Sequence, residues 1–438
     1  MTDSSDPIAD YVRRAEQDVR RVPGLPEGLQ ARVLKKAAVI GAGTMGAGIS
    51  TSLVNAGLSV TLIDVDEAAV ARGIAAIERN LDSAVKRGNA TPEEAKERRA
   101  LVTTATDTKQ VAGAEIVIEA VFENLALKQQ IFADLSRHAG PDTILASNTS
   151  TLDLEKIVAA AVRPERSIGL HFFSPAHVMK LVEIVRGRGT SPETIAACRD
   201  LIQRMRKIGV VVGVGFGFVG NKMLLDGYFR EVEVLLLEGA TPTQIDQAML
   251  GYGFAMGPCA VSDMSGVDVP ALIRKELFQH ETRPFPYLLV TEALAARGRN
   301  GVKAAKGFYR YEAGDRTPHA DADVLAICES LAHENGIARQ VPSDAEIVER
   351  CMLQVINLGI ALLDDGLAAR PSDIDAIWLN GYGFPRARGG PMHYADELGL
   401  AFVLERIEGY RARYGAAWTP APLLRRLVAE GSSLANLN

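Results

Sequence analysis

Between Lys36 and Phe218, short apolar runs rich in β-branched residues alternate with segments of helical character, and this alternation limits the possible folds more than any other feature. The runs are AAVIG (37–41), SVTLID (59–64), AEIVIEAV (114–121), TILAS (143–147), SIGLHFF (167–173), KLVEIV (180–185) and a valine-rich stretch around 208–214. Strands separated by helices are joined by crossovers, which build a mostly parallel sheet covered on both faces. After Phe218 the strand signals stop, and the remainder reads as helices and loops.

The first run leads directly into Gly41-Ala-Gly43-Thr44-Met45-Gly46, a GxGxxG between a strand and an apolar helix. Gly41 permits the tight turn, Gly43 lets backbone approach a diphosphate, and Gly46 allows close contact between helix and sheet. Thr44 and Met45 then lie in the first turn of a helix whose N-terminal amides face an anion. Asp64 ends the second run, where a carboxylate binds a ribose diol. That carboxylate would repel a 2′-phosphate and no arginine follows it, so the cofactor expected is NAD rather than NADP.

Between the second and third runs, apolar residues recur at helical spacing (Val70, Ile74, Ile77, Leu81, Val85), and Thr91-Pro-Glu-Glu94 starts another helix. A helical hairpin projecting from the sheet domain at about 66–100 is expected. The helical remainder repeats itself: LLEGATPTQIDQAMLGYGFAMGP (236–258) and LLDDGLAARPSDIDAIWLNGYGFPRARGGPM (362–392) share leucines, an acid, Gly, a Pro-containing loop, Ile-Asp, then Gly-Tyr-Gly-Phe and a later Gly-Pro. The expected organisation is an extension at 1–35 with a basic helix, a dinucleotide-binding domain at 36–217, helical domains at 218–312 and 342–438, and a helical linker at 313–341.

Composition narrows the function. Forty-eight basic and 54 acidic side chains give a net charge of −6, so the molecule offers no broad cationic field to nucleic acid or anionic membrane. The longest apolar stretch, Ile208 to Gly220, has thirteen residues and five glycines, short of the ~20 that a spanning helix needs. The first residues, MTDSSDPIAD, lack a positively charged start and an apolar core, so no secretory signal is expected. Cys198, Cys259, Cys328 and Cys351 are widely separated, without the spacing of a zinc site or disulfide framework. Reduced thiols, no metal and a cytoplasmic location are the expectations.

The segment His171-Phe-Phe-Ser174-Pro-Ala-His177-Val-Met-Lys-Leu-Val-Glu183 carries the chemistry. If its two strands run antiparallel about residue 177, His171 faces Glu183. An imidazole held by a buried carboxylate has a fixed tautomer, as a general base needs. Spacing alone equally allows a structural histidine in a core hairpin. His177 is expected at the turn, facing solvent.

HFFxP followed by that glutamate, ASNTS (146–150), IEAVFENLALK (118–128), GFVGNK (217–222) and the GVK-to-GFY segment (301–309) together resemble the L-3-hydroxyacyl-CoA dehydrogenases of fatty acid β-oxidation. The resemblance covers 36–438. The doubled helical module and the phrase GYGFPRARGGPM are most similar to the dehydrogenase half of the multifunctional β-oxidation enzymes, without the enoyl-CoA hydratase half. It implies an α/β Rossmann-type NAD-binding domain followed by two related all-α domains, oxidising (S)-3-hydroxyacyl-CoA to 3-oxoacyl-CoA. By the same resemblance His171 is the base, Glu183 its partner, Ser147 a donor to the substrate oxygen, and Asn221 the residue holding substrate and His171 in register. Glu123, Lys128, Ser174 and Lys303 match cofactor positions. Lys86 and Arg87 lie where the family's hairpin contacts CoA.

Three departures accompany the resemblance: Ser174 where the family has asparagine, Ala304-Ala305 where it commonly has Thr-Gly after the lysine, and no proline in Val214–Phe218. Altered kinetics or chain-length preference is expected. A hydroxy acid without CoA is the alternative substrate, and a non-catalytic NAD-binding protein the alternative class. A monomer with its helical domains paired internally is expected, as is docking of a separate hydratase on 1–35.

Overall fold

All seven runs form strands, and an eighth joins them at an edge. The computed structural model describes residues 6–277 and 289–438; the first five residues of the expected extension, and 278–288 of the first expected helical domain, lie outside them. The strands are β1 (Lys36–Ile40), β2 (Ser59–Ile63), β3 (Val102–Ala105), β4 (Ile116–Glu119), β5 (Ile144–Ser147), β6 (Ser167–Phe172), β7 (Leu181–Val185) and β8 (Ile208–Val212). They lie in the order β3-β2-β1-β4-β5-β6-β7-β8. Every pair is parallel except β6–β7. The chain builds outward from β1 to β3, then returns to the other side of β1 with β4. The carboxyl ends of β1 and β4 therefore flank the switch point where open α/β sheets hold ligands. Leu62, Ile118, Ile168, Leu170 and Ile184, all fully buried, form part of the core.

The chain divides into two compact units. The first holds the sheet with α1 (Pro7–Asp18), α2 (Thr44–Asn55), α3 (Glu67–Lys86), α4 (Pro92–Ala100), α5 (Leu125–His138), α6 (Leu154–Val158) and α7 (Pro192–Arg204). Thr91 and Glu94 close a capping box at the start of α4, with Pro92 in its first turn. The α3–α4 hairpin does not stand clear of the domain as expected. Ile77, Leu81 and Ala95 enter the core, and Asn80 Nδ2 donates to Thr51 Oγ1 of α2 at 3.2 Å. The apolar stripe at helical spacing is thus consumed by packing against the sheet domain.

The boundaries of the helical region also differ from expectation. Residues 365–382 leave the second helical copy and belong to the first unit. Within that segment, Leu367 O accepts from Gly213 N–H at 2.8 Å just beyond β8. The helix Pro371–Gly381 packs on α1. Tyr11 Oη donates to Asp375 Oδ2 at 2.6 Å, Asn380 Nδ2 to Glu16 Oε1 at 3.0 Å, and Arg370 Nη2 to the carbonyl of Asp18 at 2.9 Å. Val12 and Ala15 of α1, and Val19 after it, are buried. The extension is therefore an integral part of this unit.

The second unit comprises Asn221–Asp364 and Gly383–Asn438. Its central helix, Asp344–Asp364, packs against Pro242–Tyr252 of the first copy and against Pro391–Leu398 and Pro422–Glu430 of the second. On it, fully buried Arg350 reaches Glu231 at 2.6 Å and Glu238 at 2.5 Å, both on the first-copy helix Arg230–Glu238. The expected linker carries the helix Ala322–Glu334, whose buried Val324, Cys328 and Ala332 pack it into the same unit. Among the described residues no helix is long and apolar enough to cross a membrane.

Candidate active site

The turn after β1 is shaped by its glycines. Gly41 has φ +100°, and a Cβ there would meet Ala120 O at 2.7 Å. A Cβ on Gly46 would lie 1.8 Å from Gly41 O, so only glycine lets α2 start against the turn. Gly43 and Thr44 are exposed and Met45 is half-buried. A Cβ on Gly43 would point into open space. No side chain caps α2, which leaves its first-turn amides for an outside partner. At the end of β2, Asp64 takes Ala42 N–H on Oδ2 at 2.8 Å and Asp66 N–H on Oδ1 at 3.2 Å, which fixes the carboxylate beside the glycine turn. Val65 and Phe122, each 86% exposed, leave two large apolar side chains in solvent just after β2 and β4. An open backbone cradle, an uncapped helix start, an oriented carboxylate and apolar rims fit a dinucleotide.

One strand further along, β4, β5 and the loops after them hold a buried polar network. Fully buried Glu119 accepts Val121 N–H at 2.8 Å and Lys128 Nζ at 2.7 Å on Oε1, and Ser147 Oγ at 2.7 Å on Oε2. Lys128, 1% exposed, also lies 3.4 Å from Glu123. Glu123 Oε1 receives Thr149 Oγ1 at 2.7 Å and the amides of Ser150 and Thr151 at 2.8 and 3.0 Å. Burial pushes the Glu123 carboxyl upward, but Lys128 and these donors outweigh it and hold the group below the usual carboxylate range. The NTS loop is thus pinned by a carboxylate arriving from another strand end.

This network corrects the expectation for Ser147. The residue is fully buried and its hydroxyl donates to Glu119, which withdraws it from any substrate. Ser150, half-buried at the far end of the same motif, is the more accessible serine. Asn148 Oδ1 accepts Phe172 N–H at 2.9 Å and ties the loop to β6.

On β6 and β7 the register pairs His171 with Glu183. Nδ1 of His171 lies 2.8 Å from Glu183 Oε2, leaving Nε2 as the nitrogen not engaged by the carboxylate. Glu183, fully buried, takes the amides of Val219 and Gly220 on its other oxygen at 3.2 and 3.0 Å. Three donors hold it as an oriented acceptor, and Nδ1–H is the tautomer that answers it. The Phe173 and Phe218 rings lie 4.4 and 5.7 Å from the imidazole. Such an arrangement can take a proton at Nε2 and stabilise the resulting imidazolium through Glu183.

Ser174 is exposed directly after β6. His177 is half-buried rather than solvent-facing; burial, with Lys207 and Arg87 nearby, lowers its tendency to protonate. Asn221 and Lys303 fall in the second unit, Asn221 within the short helical segment Gly220–Lys222 and Lys303 ion-paired with Asp268 at 2.7 Å. The first unit therefore contains Gly41, Gly43, Thr44, Met45, Gly46, Asp64, Glu123, Lys128, Ser147, His171, Ser174 and Glu183. Glu119, inside IEAVFENLALK, carries no mark of this role in the sequence, because a strand-end acid shows no sign of its buried lysine.

Comparison with known proteins divides the chain by sequence, and its second C-terminal match runs through 365–382, which packs in the first unit. The model "3-hydroxyacyl-CoA dehydrogenase, NAD binding domain" matches residues 36–215, and "3-hydroxyacyl-CoA dehydrogenase, C-terminal domain" matches 217–311 and again 347–434. The chain is 41% identical over 427 residues to a peroxisomal bifunctional enzyme of Danio rerio, covering 93% of this chain and 59% of that protein. It is 39% identical over 410 residues to a fatty acid oxidation complex subunit alpha of Shewanella sp. (strain MR-4), covering 92% and 57%. The chain thus spans somewhat more than half the length of these relatives. A crystal structure of 3-hydroxybutyryl-CoA dehydrogenase from Escherichia coli K12 is 28% identical, with TM-score 0.79, and the match covers 91% of this chain and 100% of that one.

Proposed function

Because the chain belongs to the 3-hydroxyacyl-CoA dehydrogenase family, we propose that it oxidises (S)-3-hydroxyacyl-CoA to 3-oxoacyl-CoA in fatty acid oxidation, with His171 as the base. The observation that carries this reading is the His171–Glu183 pair at 2.8 Å, in the same compact unit as an uncapped glycine turn that fits a dinucleotide. NAD held there supplies the hydride acceptor. Gly41, Gly43, Thr44, Met45 and Gly46 would hold its diphosphate through backbone, and Asp64 a ribose. As the 3-hydroxyl carbon is oxidised, Nε2 of His171 takes the hydroxyl proton and Glu183 compensates the charge that develops on the ring. Glu123 and Lys128 fix the loop carrying Ser150, while Ser174, Asn221 and Lys303 remain proposed contacts of cofactor or substrate on the family resemblance.

The two matches to one C-terminal model support reading the helical region as a duplication. The packing of both copies around Asp344–Asp364 supports a monomer whose helical pairing is internal. A separate enoyl-CoA hydratase as a partner concerns only the outer face of α1, since its inner face is buried.

The reading is tested with purified protein, NAD and a series of 3-hydroxyacyl-CoA substrates, following NAD reduction. Turnover suppressed by free CoA supports it. Turnover of hydroxy acids alone, indifferent to CoA, would move the substrate class; absence of turnover with bound NAD would leave a non-catalytic binding protein.

A further inference from the structure

The segment 365–382 comes from the second helical copy, yet it is built into the unit that carries the candidate base. At its end Gly381 and Tyr382 pack against that site. A Cβ on Gly381 would come within 2.5 Å of Leu181 Cδ2 and 3.5 Å of the Phe173 ring, so glycine allows this close approach. The Tyr382 ring meets Phe173 edge-on at 5.4 Å, and Phe173 in turn lies 4.4 Å from His171. On its other side Tyr382 abuts Gly220, where a Cβ would fall 2.4 Å from the tyrosine ring and hydroxyl. Gly220 is one of the two amides that hold Glu183. Trp378 stacks on Tyr382 at 5.1 Å and backs it from the preceding helical turn. One side chain therefore touches both the ring covering His171 and the backbone anchoring Glu183.

The first copy uses its counterpart differently. Tyr252, in the same Gly-Tyr-Gly-Phe context, sits in the second unit among Phe254, Phe384 and Tyr394, beneath the Arg388 guanidinium at 4.1 Å. The repeated motif is thus a packing element in one copy, while in the other it reaches the dyad.

We infer that Tyr382 is a positioning residue for the His171–Glu183 dyad, setting the Phe173 ring and the Gly220 amide from behind. This rests on the proposed dehydrogenase reading for its kinetic consequence, but not for its structural one. The test compares wild type with Tyr382→Phe, Tyr382→Leu and Tyr382→Ala in the full-length chain.

Two readouts are taken: steady-state kinetics with NAD and 3-hydroxybutyryl-CoA, and the proton resonance of His171 Nδ1–H, which needs no substrate. Y382F keeps the ring against Phe173 and Gly220 and is expected to lose less than either variant without the ring. Y382L and Y382A are expected to lose kcat roughly 10- to 100-fold through misplacement of the base. Their KM for NAD should stay within about twofold, because the glycine turn is untouched. The Nδ1–H resonance should broaden or vanish in the same two variants. Should Y382A fail to fold, Y382L, which keeps an apolar side chain, carries the comparison. Wild-type kcat and resonance in a folded Y382L would overturn the inference, as would equal losses in Y382F and Y382L. A wild type without turnover, whose resonance still depends on Tyr382, would refute the dehydrogenase reading and leave the positioning role standing.

Discussion

Glu183 accepts from His171 and from the amides of Val219 and Gly220 at once, so it works through orientation rather than mobility. Glu183→Gln would turn one oxygen into an amide donor facing donors, and kcat should fall by about 10²–10⁴, the range for a misdirected general base. NAD affinity, measured by calorimetry, should be retained. Lys128 presents a different energetic case: its ammonium and the Glu119 carboxylate are buried together. Lys128→Met leaves Glu119 without its counter-charge and should cost about 3–5 kcal/mol in denaturant unfolding. Lys207 gives a pH signature. Burial lowers its ammonium from 10.5 to about 8. Below about pH 8 both folded and unfolded chains carry the proton, and the cost of burying the charge is complete. As pH rises toward 10.5 the folded chain releases its proton first, so stability rises with pH in this window. Thermal midpoints of wild type measured against Lys207→Met should therefore gain between about pH 7 and pH 10; a constant difference would contradict the assignment.

Among the elements, α1 is the clearest gain over sequence reading. Its helical character and the break at 23–28 are legible from Pro and Gly, but the partner of its buried face is not, because that partner lies more than 350 positions away in the chain. The two copies of Ile-Asp show what it does. Asp246 accepts the Tyr309 hydroxyl at 2.8 Å, and Asp375 accepts that of Tyr11 at 2.6 Å. In the second copy, then, α1 supplies the phenol that the first copy draws from its GFY segment. Tyr11→Phe should destabilise the chain by about 1.5–3 kcal/mol, the range for a hydrogen bond to a charged group, with a matching fall in thermal midpoint. The seven strands other than β3, and the hairpin register, were legible because buried β-branched runs and a symmetric His–Glu spacing leave few alternatives. The edge strand β3 was not: it is short, and Thr103 and Thr104 at its centre are exposed, so no apolar alternation marks it. The transfer of 365–382 to the first unit escaped the repeat argument for another reason. A repeat reports ancestry of sequence, whereas contacts with α1 and β8 decide where the segment packs.

At the scale of the molecule, a net charge of −6 excludes a broad polyanion surface but leaves room for a local basic site for CoA phosphates. Duplication explains the length, since two copies matching one C-terminal model follow a single NAD-binding match. Buried Arg350 joins the copies through Glu231 and Glu238. Arg350→Met strands two buried carboxylates and should cost about 3–5 kcal/mol; light scattering before and after the substitution tells whether unpaired helical surfaces then recruit a second chain. The reaction proposed for this chain is oxidation of 3-hydroxyacyl-CoA with His171 as the base. It is tested most directly by NAD reduction with 3-hydroxybutyryl-CoA and longer homologues in wild type and His171→Ala, with NAD binding measured on the same samples. Turnover in wild type, lost in the variant while NAD still binds, is the predicted result; turnover that survives the substitution would contradict it.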